Sequence, residues 1–144
     1  MEPIESRTIL RECHCLAARK RARALTRLYE AKLRSHGLRA TQFSILAALS
    51  LRGPTRISEL AEALGLERTT LTRSAGVLAR NRWVEDDLSA DARARPLRLT
   101  PLGRRKLESA FVAWKEAQDV IDGVECGESP TTEAEEITWA RRIH

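Results

Sequence analysis

The chain has 144 residues and a net charge of +5, and aromatic side chains make up only 4% of it. This length suits one domain with an aliphatic core, and the basic balance favours an anionic partner, nucleic acid before others. No apolar run approaches the roughly 20 residues that span a bilayer, no signal-peptide core opens the chain, and three cysteines, an odd number, argue against a disulfide framework. We therefore expect a cytoplasmic protein without a membrane partner.

Charge is distributed unevenly along the chain. Residues 1–115 hold 23 Lys and Arg against 12 Asp and Glu, whereas residues 116–144 hold 2 against 8. The acidic end is either an ordinary solvated surface or a segment that charge repulsion keeps away from DNA.

The first part of the chain predicts one long helix, over residues 7–36. Apolar positions recur there at steps of three and four residues, and Gly37 ends the pattern. The opposite face carries Arg11, Arg19, Arg23 and Arg27. A helix of about 45 Å is long for so small a chain, so its apolar stripe requires a partner surface.

The rest of the chain predicts short helices, a hairpin and further helices. Helices are expected over residues 41–52, 57–64 and 67–81, with a left-handed turn at Gly65. Two strands, residues 83–85 and 97–100, flank a long charged tip. A helix over residues 101–122, a break from Gly123 to Pro130 and a last short helix over residues 131–143 are expected to follow.

The helix over residues 67–81 has the features of a DNA-reading helix. With Leu71 at the centre of its buried face, 100° per residue places Ala75 and Leu78 within about 40° of it. The remaining surface presents hydroxyls, guanidiniums and no acid, and we assign to DNA binding Arg68, Thr69, Thr70, Thr72 and Arg73. Arginine binds guanine bidentately, and threonine bonds a phosphate or contacts a thymine methyl. Gly76 either admits the DNA backbone closely or is only a weak point of the helix.

The predicted hairpin adds arginines that suit a minor groove. It carries Arg93, Arg95 and Arg98, and a narrow minor groove concentrates the negative potential that attracts arginine. We take Arg93 and Arg95 as DNA-binding residues, with Asp91 placed to orient Arg93. A solvated hairpin tip is the alternative interpretation.

Several stretches of the chain combine into a specific pattern. They are Glu59-Leu60-Ala61-Glu62-Ala63-Leu64-Gly65, Arg68-Thr69-Thr70-Leu71-Thr72-Arg73, Asp91-x-Arg93-x-Arg95, Leu99-Thr100-x-x-Gly103, Gly37-Leu38 with Gln42-Phe43, and Trp114-x-x-Ala117-Gln118. This pattern, over about residues 9–122, resembles the MarR family of bacterial winged-helix regulators. The chain departs from the family at Arg56, where Thr or Ser usually caps the helix, at Ala75-Gly76, and in its acidic C-terminal end.

The resemblance implies a mainly α fold with a small β-wing. The chain is then a single domain over residues 1–144, with a winged helix-turn-helix lobe over residues 41–103 and dimerisation helices over residues 7–36 and 104–144. It also implies an obligate homodimer, in which the other subunit covers the apolar stripe. Such dimers bind pseudo-palindromic double-stranded DNA with half-sites about one helical turn apart. The family usually represses transcription, and many members release DNA when a small phenolic or lipophilic ligand binds.

Cys13-His14-Cys15 is a separate local feature. On a regular helix residues two apart point about 160° away from each other, so the two cysteines cannot easily bridge within one chain, and the three side chains cannot converge on one metal. A pairing across a dimer axis stays open. Some MarR relatives that sense organic hydroperoxides carry a reactive cysteine near the start of the first helix. Cys13 and Cys15 are therefore redox candidates, with plain packing and metal sensing as alternatives.

Other classes of function have weaker support. A winged helix that docks another protein, without reading DNA, is the main alternative. An enzyme is disfavoured because the sequence shows no nucleophile–base motif, no glycine-rich phosphate loop and no paired histidine ligands. We therefore expect no catalytic residue, no cofactor and no metal. The expected function is that of a DNA-binding repressor that an oxidant or a small ligand releases from its operator.

Overall fold

The computed structural model describes residues 3–89, 91 and 95–125. Within these residues the elements are α1 (Pro3–Glu12), α2 (His14–Leu33), a 3₁₀ turn (Arg34–His36), α3 (Ala40–Arg52), α4 (Ile57–Leu64), α5 (Arg68–Arg80), β1 (Val84–Asp86), β2 (Leu97–Leu99) and α6 (Pro101–Glu125). The predicted fold class, mainly α with a small β-hairpin, is confirmed. The short helix predicted over residues 131–143 lies outside the described residues.

The chain divides into two compact units. Within the described residues the first, here called the helical unit, combines residues 3–32 with 114–125, and the second, the winged unit, lies within residues 33–113. In the helical unit Leu28 of α2 packs against Ala117 and Ile121 of α6. The hydroxyl of Tyr29 donates a hydrogen bond to Oε1 of Gln118 at 2.5 Å. An apolar cluster and a side-chain hydrogen bond therefore join the two helices.

The first predicted helix is interrupted at Cys13, where α1 ends and α2 begins. Helical hydrogen bonds still cross the junction, from the Cys13 N–H to the Ile9 carbonyl (3.1 Å) and from the Ala17 N–H to the Cys13 carbonyl (3.0 Å). α1 starts earlier than the apolar pattern indicated, with Glu5 in its first turn, where the helix dipole stabilises a carboxylate. The end at Gly37, in the left-handed conformation with φ 66°, is as predicted.

The winged unit is built around α3, which packs against α4, α5 and β2. Its largest fully buried side chains are aliphatic, as the composition indicated: Leu33, Ile45, Leu46, Leu49, Leu60, Leu71, Leu78 and Val84. Gln42 is buried among them because its Oε1 accepts a hydrogen bond from the Arg39 N–H at 2.9 Å. That bond satisfies one of the polar groups that the start of α3 would otherwise leave unpaired.

The two strands pair antiparallel, with Val84 opposite Leu99 and Glu85 opposite Arg98. Thr55, in the α3–α4 connection, adds a short bridge to Leu97 through reciprocal backbone hydrogen bonds of 3.0 and 2.9 Å. The hairpin is therefore tied to the connection that precedes α4.

α6 continues through Gly123 to Glu125, so the break predicted to start at Gly123 is wrong at that residue. A mid-helix glycine costs only about 1 kcal/mol relative to alanine. The preceding turns of α6 bury Ala117 and Ile121 against α2, and this packing holds the helix across the weak position.

Candidate nucleic-acid interface

A tight left-handed turn sets the direction in which α5 leaves α4. Gly65 has φ 62°, its N–H donates to the Glu62 carbonyl at 3.2 Å, and the Leu66 N–H donates to the Ala61 carbonyl at 2.9 Å. These paired bonds form a Schellman motif, which favours glycine because side chains rarely fit the left-handed conformation. The helix–turn–helix geometry therefore rests on this residue.

α5 turns one face to the core and the other to solvent. Leu71, Ala75 and Leu78 are buried, which confirms the face predicted from helical angles. The residues on α5 that were assigned to DNA binding are all exposed: Arg68, Thr69, Thr70, Thr72 and Arg73. The structure thus brings these five together on one helix surface, while the DNA-binding role of each residue stays a prediction.

The hydroxyl of Thr72 is engaged within its own helix. It donates a hydrogen bond to the Arg68 carbonyl at 2.8 Å. The hydroxyl hydrogen is then unavailable to a phosphate, whose oxygens only accept. Towards DNA, Thr72 therefore offers a methyl group and an accepting oxygen, which suit a base edge better than the backbone.

The first turn of α5 is open to an anion. Among the described residues no side-chain hydrogen bond caps the helix at Glu67, and the first N–H groups of any helix lack intrahelical acceptors. Those groups and the helix dipole attract negative charge, and Arg68 adds a guanidinium at the same end. This turn suits a phosphate.

Arg80 belongs to the same surface and was missed at the sequence level. At 100° per residue it lies half a turn away from Leu71 around the helix axis, and it is exposed. Its distance from Thr69 along the axis is about 16 Å, which extends the candidate surface to the far end of α5. The helical angle that selected Arg73 would also have selected Arg80.

The wing arginines have different surroundings. Arg98 forms an ion pair of 2.6 Å with Glu85, its cross-strand neighbour, so it is engaged at the base of the hairpin. Arg95 is exposed, has a positive φ of 30°, and its N–H lies 3.4 Å from the Asp91 carbonyl. Arg93 lies outside the described residues.

The hairpin tip starts with a local hydrogen-bonded turn. Oδ1 of Asp87 accepts hydrogen bonds from the Ser89 hydroxyl (2.7 Å) and the Ser89 N–H (3.1 Å), and the Asp87 N–H donates to the Pro96 carbonyl at 2.7 Å. The bonds from Ser89, with a smaller contribution from the charge of Arg98, lower the pKa of Asp87 below its usual value. The carboxylate form therefore holds this turn together.

The Leu99-Thr100-x-x-Gly103 motif anchors the wing to α6. The Thr100 hydroxyl donates to the Arg82 carbonyl at 2.7 Å and accepts from the Gly103 N–H at 3.0 Å. The Lys106 ammonium lies 4.9 Å from the ring centroid of Trp83, within the range of a cation–π contact. The end of β2, the start of α6 and the residues before β1 are therefore held at fixed positions.

The two N-terminal cysteines are free thiols in different settings. Cys13 is partly buried at the α1–α2 junction, and Cys15 is exposed, with a guanidinium nitrogen of Arg19 3.9 Å from its Sγ. The helix is interrupted at Cys13 although helical hydrogen bonds continue across it, and the predicted divergence of the two side chains stays a prediction.

Two kinds of site are absent from residues 3–89, 91 and 95–125. No group of three or more His, Cys, Asp or Glu side chains there could hold a metal ion, and no helix there is long and apolar enough to cross a membrane.

Comparison with known proteins places this architecture among transcriptional regulators. Residues 36–94 match the model of the MarR family. The M. tuberculosis transcriptional regulator MosR is 34% identical, with a TM-score of 0.73 over 92% of this chain and 96% of that one. The structure of MosR in complex with DNA is 38% identical, with a TM-score of 0.70 over 90% of this chain and 95% of that one.

Two further relatives are more distant. Reduced AbfR bound to DNA is 28% identical, with a TM-score of 0.62 over 77% of this chain and 85% of that one; AbfR comes from Staphylococcus epidermidis. YwoH, an uncharacterised HTH-type transcriptional regulator of Bacillus subtilis strain 168, is 31% identical over 91 residues. That match spans 63% of this chain and 66% of YwoH, just under two thirds of its length.

Proposed function

The chain belongs to the MarR family of transcriptional regulators, and we propose that it acts as a dimer that represses transcription from a pseudo-palindromic operator. α5 reads the major groove, through Arg68, Thr69, Thr70, Thr72 and Arg73, and the wing arginines Arg93 and Arg95 contact the minor groove. One α5 from each subunit then meets half-sites about one helical turn apart. Such a regulator acts without a cofactor or a catalytic residue, in the cytoplasm where its DNA lies.

The observation that carries the proposal is the exposed, acid-free face of α5. Leu71 and Leu78 are fully buried, and re-exposing one leucine costs about 1.5–3 kcal/mol. The helix therefore cannot rotate about its axis, and Thr69, Thr72 and Arg73 stay directed towards solvent. A fixed row of hydroxyls and guanidiniums without carboxylates suits the edges of bases and the phosphates beside them.

The relatives favour DNA over a protein as the partner of this face. MosR and AbfR have both been captured on DNA, and MosR is similar to this chain over nearly its whole length. Family membership therefore supports a DNA-binding regulator over a winged helix that only docks another protein.

Exposed apolar side chains support a second copy of the chain as a partner. On α1, Ile9 and Leu10 are 53% and 65% exposed, and on α6 Phe111 and Val112 are 51% and 63% exposed. All four residues fall in the ranges assigned to dimerisation, and exposed apolar surface is what protein–protein contacts cover. We therefore include homodimerisation through α1 and α6 in the proposal.

An oxidant is the releasing signal that the structure favours. Cys15 is an exposed free thiol, and a guanidinium nitrogen of Arg19 lies 3.9 Å from its Sγ. A peroxide that reaches an accessible cysteine oxidises it to a sulfenic acid. AbfR, a relative of 28% identity, has been captured on DNA in reduced and overoxidised forms. Release by a small phenolic or lipophilic ligand stays a prediction from the family resemblance.

The DNA assignment is tested with an operator selected from the genomic fragments that the purified protein retains. Arg73→Ala is expected to weaken binding to it by about 1–3 kcal/mol, as for a base-reading arginine. Arg105→Ala removes another exposed arginine, outside the proposed interface, and its effect should stay within about 0.5 kcal/mol. If neither Arg73→Ala nor Arg95→Ala alters the affinity for any selected DNA, the DNA-reading assignment fails.

The redox assignment is tested on the same DNA complex. Peroxide should release the wild-type protein, and the Cys13→Ser/Cys15→Ser variant should stay bound when fluorescence anisotropy of the labelled operator is followed. Cys15→Ser alone should behave like the double variant, because Cys15 is the exposed thiol. Peroxide-triggered release that persists in the double variant would show that neither thiol is the sensor.

A further inference from the structure

One face of α2 carries a row of arginines to which the proposed function assigns no contact with DNA. Arg19, Arg23 and Arg27 follow one another at four-residue steps, and all three are exposed. We call these three residues the α2 arginine ladder. From residue 13 to residue 29 the chain has five basic residues and no acid: Arg19, Lys20, Arg21, Arg23 and Arg27. Solvated helix faces usually alternate acids and bases, so this composition indicates a specific anionic partner.

The ladder weakens the helix that carries it. Like charges four residues apart repel each other, and the ladder contains two such pairs. Within the described part of the chain no ion pair neutralises Arg19, Arg23 or Arg27. Arg19 contacts the Sγ of Cys15 at 3.9 Å, a long contact that leaves most of its five N–H donors free. The three guanidiniums are therefore available to an external acceptor.

The other face of α2 is already occupied, which argues against a membrane surface. A basic amphipathic helix binds lipid by burying its apolar face in the bilayer. Here Leu28 packs against Ala117 and Ile121 of α6, and the Tyr29 hydroxyl bonds Gln118. Insertion into a bilayer would require α2 to separate from α6. The ladder could therefore attract a bilayer only through its charges, without burying an apolar face.

We propose that the α2 arginine ladder binds phosphates of double-stranded DNA, as a contact separate from the winged unit. The residues that carry the three guanidiniums span about 12 Å of helix axis, at a spacing of about 6 Å. Phosphates follow one another about every 3.4 Å along the axis of one DNA strand, so this spacing is close to that of alternate phosphates. Arginine suits this role because its planar fork bonds two phosphate oxygens at once. The contact is independent of base sequence.

Salt dependence is the measurement that separates this contact from base reading. Each phosphate neutralised by a cation contributes about 0.9 to the slope of log K against log salt concentration. We compare the full-length protein with Arg19→Gln/Arg23→Gln/Arg27→Gln on a random-sequence duplex. The slope should become shallower by roughly 3 for each protomer that binds through the ladder.

A matched variant controls for net charge. Arg34→Gln/Arg52→Gln/Arg105→Gln also removes three exposed arginines, from outside α2, α5 and the wing. It should lower affinity slightly and leave the slope close to that of the wild type. The proposal is overturned if the ladder variant and the wild type have equal slopes. It is also overturned if the ladder variant and the control variant lose equal amounts of slope relative to the wild type.

A second variant keeps the result readable if the glutamines disturb α2. Arg19→Lys/Arg23→Lys/Arg27→Lys retains the charges and should retain nearly the whole slope. Helicity and the melting temperature of each variant are followed by circular dichroism. If the lysine variant, folded as the wild type, loses as much slope as the glutamine variant, charge at the ladder is not what binds the phosphates, and the proposal is wrong.

The remaining arms separate this proposal from the function proposed above and from other partners. Arg73→Ala should weaken binding to the operator and leave the affinity for the random-sequence duplex unchanged. The ladder variant should weaken binding to the random-sequence duplex. Either assignment can therefore fail while the other stands. Vesicles containing an anionic phospholipid should not retain the protein at physiological salt. If the ladder is needed for retention on vesicles but the glutamine variant keeps the wild-type slope on DNA, the partner is a lipid and the proposal is wrong. If the glutamine variant keeps the wild-type slope but melts at a lower temperature, the ladder binds an acidic part of the protein itself, and the proposal is also wrong.

Discussion

The backbone of Gly103 lies so close to the carbonyl group of Trp83 that a Cβ at Gly103 would run into that carbonyl oxygen. Any side chain at this position must push α6 away from the residue that leads into β1. We expect Gly103→Ala to lower the free energy of unfolding by about 1–3 kcal/mol, the usual cost of overpacking. Urea unfolding followed by circular dichroism measures it.

The control for this substitution lies on the same helix. Among the residues that the structure describes, a Cβ at Gly123 meets nothing within 4 Å, so Gly123→Ala should raise the free energy of unfolding by up to about 1 kcal/mol through helix propensity. The same substitution, glycine to alanine, is then expected to lower the free energy of unfolding at position 103 and to raise it at position 123. Stabilisation by Gly103→Ala would contradict the close approach to Trp83.

Thr72 predicts an unusual order of substitutions at the DNA surface. Because its hydroxyl donates to the Arg68 carbonyl, the methyl group is the part offered most freely to a base. Thr72→Val keeps a methyl there and should change operator affinity by less than about 0.5 kcal/mol, whereas Thr72→Ser should weaken it by about 0.8 kcal/mol, the value of one buried carbon group. Titration of labelled operator compares them. The reverse order would show that the hydroxyl oxygen accepts a bond from a base.

The Gly76→Ala substitution is expected to affect the stability of the protein and its affinity for DNA in different ways. Gly76 is half-buried on the side of α5 away from Leu71, and within the described part of the chain an added Cβ there meets nothing within 4 Å. Gly76→Ala should therefore stabilise the protein by about 1 kcal/mol. If DNA approaches the helix closely at this point, the same methyl weakens operator binding, while Gly123→Ala leaves it unchanged. Unchanged affinity in Gly76→Ala would mean that this glycine is only a weak point of the helix.

The helices could be predicted from the sequence because burial of one helix face makes apolar residues recur at helical spacing. The pattern around Leu71 predicted the buried residues of α5, and the glycines at 37 and 65 marked the turns that the structure contains. Cys13 and Gly123 were misjudged for a different reason. A glycine predicts a break only where packing does not hold the helix, and nothing in the apolar period distinguishes the junction at Cys13.

The candidate site was predictable where it lies on one helix and less so where it depends on pairing. Helical angles select Thr69, Thr72 and Arg73, with Arg68 and Thr70 flanking them, and the same angles select Arg80. The ion pair of Arg98 with Glu85 does not, because it depends on the strand register. That register is set by the length of the hairpin tip and by the Thr55 bridge to Leu97, neither of which a local pattern contains.

Tyr29 is the single tyrosine of the chain, so the phenolate absorbance during an alkaline titration reports on it alone. Burial, with a smaller contribution from the negative charge of Asp122, raises its pKa above the ordinary value of 10.0. The folded state then holds this proton more tightly than the unfolded state, so the stabilisation is present below pH 10 and is lost as the pH rises through the folded pKa. Asp122→Asn should lower the midpoint without bringing it back to 10.0, because burial is the larger cause. A midpoint at or below that value in the folded wild-type protein would contradict the packing of Tyr29 between α2 and α6.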